Sequence, residues 1–405
     1  MRNKTILIVG AGPDQLPAIK MAKKFGCRVL ATDKNPNSIG FEFADGHALI
    51  STNDSSATLR YARDNNIDAI TTLVSETGIP VVAYVNKKLK LAGIDPKLAF
   101  LATNKLAMRD TMKSKACSVP AYERVDSYQS AKNFVIKHGL PVVIKPSDSS
   151  GQSGVRKIES LSQLSTAYDE AIQYATDNLA IIEEFVQGPE INVTALVNQG
   201  VVTILSLSDR VTAEPPHFGI ATHHVAPPEL NDEQTNMVMQ AAVCSIQSIE
   251  MNDGIAYPQI IVDQTRNKVY IIEIAARIPG GHMREVALYL SGIDMVKCAI
   301  HQAFGDKFTL EDVSSDESVY PAVIVEFLTA LNTLSEGSTI KTISGFSEVQ
   351  SLPGIKLAYC NLHPGEKIPK LDSSRARFGV LLSVGNSKQE CIRRLEEAKS
   401  HIVIS

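Results

Sequence analysis

Residues 142–155 read VVIKPSDSSGQSGV, an apolar run that closes on Lys145 and gives way to small polar residues and glycines. The first part has the composition of a buried strand, and an ammonium group buried there without an anionic partner would destabilise it. Any fold for this chain must therefore bring an anion to Lys145. The segment that follows suits phosphate oxygens: Ser150 and Ser153 are small, and Gly151 and Gly154 leave backbone N–H groups open to close approach. The order is not that of a GxxxxGK[ST] loop, because the lysine comes before the glycines. A solvated surface loop after an edge lysine is the competing reading.

At 405 residues, 44% of them apolar, the chain suits two or three packed domains rather than one core. Its 40 basic and 44 acidic residues leave a formal charge of −4, with no basic cluster dense enough to grip nucleic acid or an anionic membrane. The start, MRNKTILIVGAG, runs directly into a strand, and no long apolar segment follows. A soluble, unprocessed cytoplasmic protein is the expectation. The six cysteines form no CxxC pair, so neither a zinc knuckle nor a disulfide framework is expected.

The first hundred residues alternate between strand and helix patterns: TILIVG, DQLPAIKMAKKFG, RVLATD, then DAITTLV and KLAGID. This is the α/β pattern of a parallel, Rossmann-like sheet. The turn GAGPDQ places Gln15 where a dinucleotide fingerprint has its third glycine, so NAD binding is a weak reading even with Asp33 closing the second strand. After about residue 100 the pattern becomes α+β. Helices such as SYQSAKNFVIKHG alternate with strands LPVVIKP, LAIIEEFV, EINVTALV and VVTILSLSDR, and YPQIIVDQTRNKVYIIEIAAR reads as a hairpin.

Three stretches carry further chemistry. EEFVQGPE offers Glu183, Glu184 and Glu190 around the apolar pair Phe185 and Val186: surface for an adenine ring, backbone for its edge and a carboxylate for ribose hydroxyls. In the hairpin, Gln259 and Glu273 are expected side by side, as hard oxygen ligands for a divalent ion, with Arg277 four residues on. Exposed glutamates at a hairpin and a salt-bridged buried Glu are the bland alternatives, and Arg277 could simply pair with Glu273 or Glu285. The stretch SDRVTAEPPHFGIATHHVAPPEL, rich in proline and histidine, reads as an ordered loop over a site, with His217 and His224 as candidate substrate contacts. Gly280 and Gly281 precede a helix at which a carboxylate could dock.

Taken in order, Lys105, the VIKP lysine, the Ser/Gly loop, EEFVQGPE and IIEIAARIPGG after a Rossmann-like domain resemble the ATP-grasp superfamily of carboxylate-amine ligases. The resemblance runs to about residue 305. It implies a three-domain architecture, with a pre-ATP-grasp domain over 1–102 and an ATP-grasp domain over 103–305. A small lid at about 120–188 and a C-terminal region over 306–405 complete it. It further implies that Lys105 and Lys145 hold ATP phosphates under a loop that orders on nucleotide binding, and that Glu183 to Val186 contact adenine and Glu190 the ribose. Glu273, with Gln259, would bind Mg²⁺ or, as an alternative, Mn²⁺. Gln259 stands where most members carry an acidic ligand, and Ala275 replaces the asparagine of ExNxR. The ExxAR form followed by PGG resembles the bacterial L-amino-acid ligases. The implied reaction activates a small carboxylic acid, as an acylphosphate, for attack by an amine, with Arg277 stabilising the reacting groups; by analogy a homodimer is one assembly to expect. A purine-biosynthetic or carbamoyl-phosphate-forming enzyme and a non-catalytic nucleotide sensor remain open as alternatives.

Overall fold

The computed structural model describes residues 1–148, 153–214 and 219–405. Ser150, Gly151 and His217, and with them most of the expected phosphate-closing loop, lie outside the described residues.

Strands β1 (Thr5–Val9), β2 (Arg28–Asp33), β3 (Gly46–Leu49) and β4 (Ala69–Thr71) form a parallel sheet in the order β3-β2-β1-β4. All five residues of β1 are buried, as expected for a parallel strand covered on both faces. Ile6 and Ile8 pack with helix Leu16–Lys24 and with helix Met295–Ala303 from far along the chain. Leu7 and Val9 face Leu59, Val81 and Val85 on the other side. The Rossmann-like expectation is met, with one difference: KLAGID is not a strand. Helix Gly78–Leu89 ends with Lys90 in the left-handed region, and the chain then passes to Asp95, which caps the next helix, Pro96–Thr103.

The turn after β1 is occupied by a side chain where the dinucleotide fingerprint has a glycine. The Gln15 side chain lies across Gly10 and Gly12, accepting from Gly12 N–H at 3.2 Å and donating to the Leu73 carbonyl at 2.6 Å. Asp33, the ribose candidate of that reading, accepts from the Ala11 and Asn35 amides, both at 2.9 Å.

A second sheet is small and antiparallel, in the order β5-β8-β6-β7: β5 (Tyr122–Val125), β6 (Val142–Pro146), β7 (Arg156–Ile158) and β8 (Ala180–Glu184). Helices Tyr128–His138 and Leu161–Tyr174 cover it, and Phe134, Val142, Ile144, Leu164 and Ile182 give it a core of its own. Gly139 ends the first of these helices with positive φ, as its position in the sequence predicts.

The third sheet has eight antiparallel strands. Its members are β9 (Glu190–Asn198), β10 (Val201–Thr212), β11 (Ala221–Ala226), β12 (Gly254–Asp263), β13 (Lys268–Ala275) and β14 (Ala322–Leu328). After the short β15 (Ile343–Ser344), β16 (Ile355–Cys360) and β17 (Gly379–Gly385) join the same sheet, and β18 (Val403–Ile404) pairs with β15. The order β13-β12-β9-β10-β11-β14-β17-β16 thus runs without a break from the middle of the chain into its C-terminal region. Helices Lys105–Ser114 and Asp232–Ser248 pack on β9, β12 and β13 through Met108, Met112, Ile191, Val238, Ile246, Ile260 and Ile271.

Two expectations are corrected here. The segment rich in proline and histidine is strand at both flanks of its centre: β10 extends to Thr212 and β11 runs over Ala221–Ala226, so His224 sits in a sheet rather than in a loop. Cys117 and Cys244, 127 residues apart, form a disulfide with their Cα atoms 5.9 Å apart. It ties the turn after helix Lys105–Ser114 to helix Asp232–Ser248, a tertiary pairing that cysteine spacing cannot reveal.

Candidate functional site

The small sheet, the large sheet and the loop after β4 enclose a cavity of about 370 Å³. Ala102, Met108, Val143, Val186, Ile261, Ile272 and Ile274 make one wall apolar, while Lys105, Lys145, Glu190, Arg210, Gln259, Glu273, Arg277 and Arg377 bring charge and hydrogen-bonding groups to the rest. Of the site residues expected from the sequence, every described one except Gly154 lines this space.

Lys145 reaches its place because β6 is paired on both sides, and only 5% of the residue is exposed. Its partner within the protein is Glu183 on the neighbouring strand β8, with Nζ to Oε2 at 2.7 Å. Arg109, on the inner face of helix Lys105–Ser114, donates Nε–H to the other Glu183 oxygen at 2.8 Å and also bonds the Ile272 carbonyl. Burial alone would raise the Glu183 pKa, but the Arg109 and Lys145 charges outweigh it and hold the carboxyl below its ordinary value. Burial pushes the Lys145 ammonium down, against the pull of Glu183. Both Glu183 carboxylate oxygens are thus engaged by the two cations. Arg109 was not anticipated; its trace in the sequence is its place four residues after Lys105, on the apolar face with Met108 and Met112.

Asn104 ends one helix and caps the next through the Ala107 amide, which sets Lys105 at a helix N-terminus on the cavity wall, with its own amide bonded to the Ser147 carbonyl. Phe185 and Val186 follow β8 along the wall, with Lys157 Nζ 4.4 Å above the Phe185 ring. The Glu184 carboxylate is turned to Arg266 at 2.6 Å. Ser153 lines the cavity. Gly154 has φ +71°, and a Cβ there would stand 2.9 Å from Pro146 and 3.0 Å from Tyr174, so close packing and backbone conformation both demand glycine.

Gln259 and Glu273 are direct register partners across β12 and β13, as the hairpin reading expected. Among the described residues Glu273 makes no ion pair. Gln259 donates Nε2–H to Asn192 Oδ1 at 3.4 Å, and Asn192 Nδ2 donates to His224 Nδ1 at 3.0 Å. That chain leaves the Gln259 carbonyl oxygen for other partners and gives His224 the tautomer with its proton on Nε2. An amide oxygen beside a carboxylate is a hard donor pair that fits Mg²⁺ completed by phosphate and water oxygens. Asp263 instead holds the hairpin turn through Thr265 and Arg266.

His224 is 3% exposed, and burial, together with Arg210 and Arg377, holds its pKa well below 6.5. The unfolded chain takes up that proton near pH 6.5 and the folded chain does not, so stability is full above that pH and falls as pH drops below it, by up to about 1.4 kcal/mol per unit for one site. Denaturation followed from about pH 7 to 5 should show a shallower loss for His224→Gln than for the parent chain. His223 and His301, also lowered by burial, keep some slope in both.

Arg277 pairs with neither Glu273 nor Glu285. Its Nε and Nη2 meet Glu76 Oε2 at 2.7 and 2.6 Å, in the loop after β4, while Glu285 is engaged by His282 and Arg284. Arg210 on β10 bonds Glu190 Oε2 at 2.9 Å and the Gly219 carbonyl at 2.7 Å, so the Glu190 carboxylate has a partner in the protein. Burial raises the Glu190 pKa against that pairing. Gly280 packs against Val74, and Gly281, at φ +65°, faces His224 and Arg377. Arg210 and Arg377 were missed because each stands in an otherwise ordinary strand or turn sequence, and only the sheet order brings them together.

Comparison with known proteins places this geometry. Residues 104–311 match the family described as carbamoyl-phosphate synthase L chain, ATP binding domain, and residues 333–405 match L-amino acid ligase C-terminal domain 2. An uncharacterized protein of Sinorhizobium fredii is 21% identical, the alignment covering 82% of this chain and 67% of that one. The carbamoyl phosphate synthase large chain of Caldanaerobacter subterraneus is 20% identical over 98% of this chain, which spans only 38% of that relative. Among solved structures, L-amino acid ligase from Bacillus licheniformis superposes with a TM-score of 0.83 at 19% identity, covering 100% of this chain and 99% of that one. Phosphoribosylglycinamide synthetase from Anaerococcus prevotii gives 0.79 at 21%, with the same coverage. No helix among the described residues is long and apolar enough to cross a membrane. With the matched region spanning just over half its length and the fold shared throughout, the chain belongs to the ATP-grasp ligase family.

Proposed function

We propose that this protein is an ATP-dependent ligase that activates a small carboxylic acid, an amino acid by preference, as an acylphosphate and couples it to an amine, releasing ADP and phosphate. The observation that carries the reading is the single cavity that brings together Lys145, the Gln259–Glu273 register pair and Arg277. The match of the C-terminal region to an L-amino acid ligase domain favours an amino acid over a purine intermediate or carbamoyl phosphate.

A carboxylate resists attack by an amine because its leaving group would be oxide. Its oxygen therefore first attacks the γ-phosphorus of ATP, breaking the bond to ADP; the amine nitrogen then attacks the acyl carbon, phosphate leaves with the original carboxylate oxygen, and the ammonium protons lost reach solvent. Lys105 and Lys145 would neutralise phosphate oxygens, and the apolar wall at Met108, Val186, Ile261 and Ile272 would take the adenine. Arg277 would hold the reacting carboxylate and then the oxyanion. Mg²⁺ held by Gln259 and Glu273 would draw charge from the transferring phosphoryl oxygens. His224, neutral with its proton on Nε2, offers a fixed donor to a substrate oxygen.

The test is ADP release from MgATP by the purified chain with mixtures of amino acids and small acids, with products followed by mass spectrometry. ADP formation that needs a particular pair, with a condensed product of matching mass, is expected. ADP release indifferent to every addition would sink the reading.

A further inference from the structure

At the end of the cavity formed by the C-terminal region stands a cation that makes no ion pair among the described residues. Arg377, just before β17, is fixed from two sides: its Nε donates to the Ser374 carbonyl at 2.9 Å, and its guanidinium lies 4.1 Å over the Phe327 ring. No Asp or Glu among the described residues comes within ion-pair reach of it, and residues 149–152 and 215–218 contain no acidic residue. The other arginines of the cavity differ in this respect, since Arg210 has Glu190 and Arg277 has Glu76. Burial and the neighbouring Arg210 lower the Arg377 pKa to about 10, still charged at neutral pH. A guanidinium held among protein atoms, stacked, beside a second arginine and open to a cavity is an arrangement that an arriving anion relieves.

The space before it is kept clear. A Cβ on Gly281 would lie 3.7 Å from Arg377 Nη1 and 3.1 Å from His224 Nε2, and φ +65° already disfavours any other residue there. His224 Nε2–H thus points at the same volume as the guanidinium.

The sheet order separates this volume from the phosphate end: Glu273 is on the edge strand β13, Arg210 on β10, and Arg377 just before β17, six strands from β13. Arg210 stands between, coupled to Glu190 and Glu273 on one side and to Arg377 on the other. The carboxylate that is phosphorylated must meet the γ-phosphate at the Glu273 end and loses its charge there. An anion at Arg377 is one that does not react.

We propose that Arg377, with Arg210 behind it and His224 Nε2–H and Gly281 beside it, forms a subsite for a permanent anionic group on the amine substrate. The inference rests on the ligase reading and narrows it: the nucleophile is an anionic amine, either an amino acid presenting its carboxylate or a phosphorylated amine presenting its phosphate. The amine nitrogen then lies between this anchor and the Glu273 end, where the acylphosphate forms.

Binding rather than turnover tests this, so that failure of the ligase reading leaves a distinct trace. Thermal shifts of the full chain in saturating MgADP would be measured with each standard α-amino acid, with its α-amide, and with ribose 5-phosphate. At least one anionic probe is expected to shift the parent chain. For an amino acid, the amide should not do so. Arg377→Met should raise the Kd for that probe by about 30-fold or more while keeping the shift from MgADP, since removing one partner of a desolvated charge pair has an effect of that size. Arg377→Lys should fall between, and Gly281→Ala should weaken the same probe without removing a charge. A response confined to ribose 5-phosphate identifies the anion as phosphate, and a response to amino acids alone identifies it as carboxylate. Equal shifts from acid and amide, an undiminished shift in Arg377→Met, or no shift from any anionic probe would overturn the proposal. An Arg377-dependent shift in a chain that never turns over ATP would instead count against the ligase reading alone.

Discussion

Replacing Arg277 by Met is expected to lower turnover by about a thousand-fold while leaving ATP binding within a few-fold of the parent chain. A donor aimed at a developing oxyanion contributes on that scale when water is excluded. The proposed nucleotide contacts lie on β6, β8 and helix Lys105–Ser114, whereas Arg277 follows β13. Because Arg277 also pairs with Glu76 across to the N-terminal sheet, the variant could act by loosening that junction. Glu76→Gln separates the two effects. It removes the ion pair and keeps the guanidinium, so it should retain most of the activity if Arg277 works on substrate. Equal losses in both variants would make the residue a structural strut. Unchanged turnover in Arg277→Met would remove this side chain from the reaction.

Glu183→Gln is expected to be the most destabilising conservative change in the site. Glu183 is 3% exposed and is the shared counter-charge of Arg109 and Lys145, which are 1% and 5% exposed. Removing one member of such a buried cluster leaves charge uncompensated and costs about 3–5 kcal/mol. Loss of the carboxylate leaves two cations close together, so the variant should melt several degrees below the parent. Saturating MgADP should then recover more of the melting temperature in the variant than in the parent, since phosphate oxygens supply the missing charge at Lys145. An unchanged melting temperature would show that the cluster contributes nothing net. Equal stabilisation of both chains by nucleotide would mean that Lys145 does not meet phosphate.

These two variants bear on what the sequence made legible. Lys145 announced that an anion was needed, and the apolar strand in front of it and the glycines behind were enough to say so. The sequence could not say that Glu183, rather than phosphate alone, answers the demand, because that pairing depends on the antiparallel register of β6 with β8. Gln259 and Glu273 were readable as neighbours because one short hairpin fixes their register locally. Arg210, Arg377 and Glu76 were not: each comes from a separate segment, and only the order of strands in the large sheet and the packing of the N-terminal sheet against it bring them to the same cavity. His224 was read as a loop residue because prolines on both sides of it obscure a strand whose pairing partners, β10 and β14, lie on either side of it in the sheet. Local patterns thus exposed the elements and the Gln259–Glu273 pair, while the cationic end of the site depended on long-range topology.

The most direct test of the central claim follows one oxygen atom. With the acid supplied ¹⁸O-labelled in its carboxyl group, together with amine and MgATP, the inorganic phosphate is collected and weighed. If the carboxylate is phosphorylated by ATP and then displaced by the amine, each phosphate formed with product carries one ¹⁸O and the new amide keeps the other. Phosphate that emerges without label while ADP accumulates would mean that water, not a carboxylate, receives the phosphoryl group, and the account of this protein as an acylphosphate-forming ligase would be wrong.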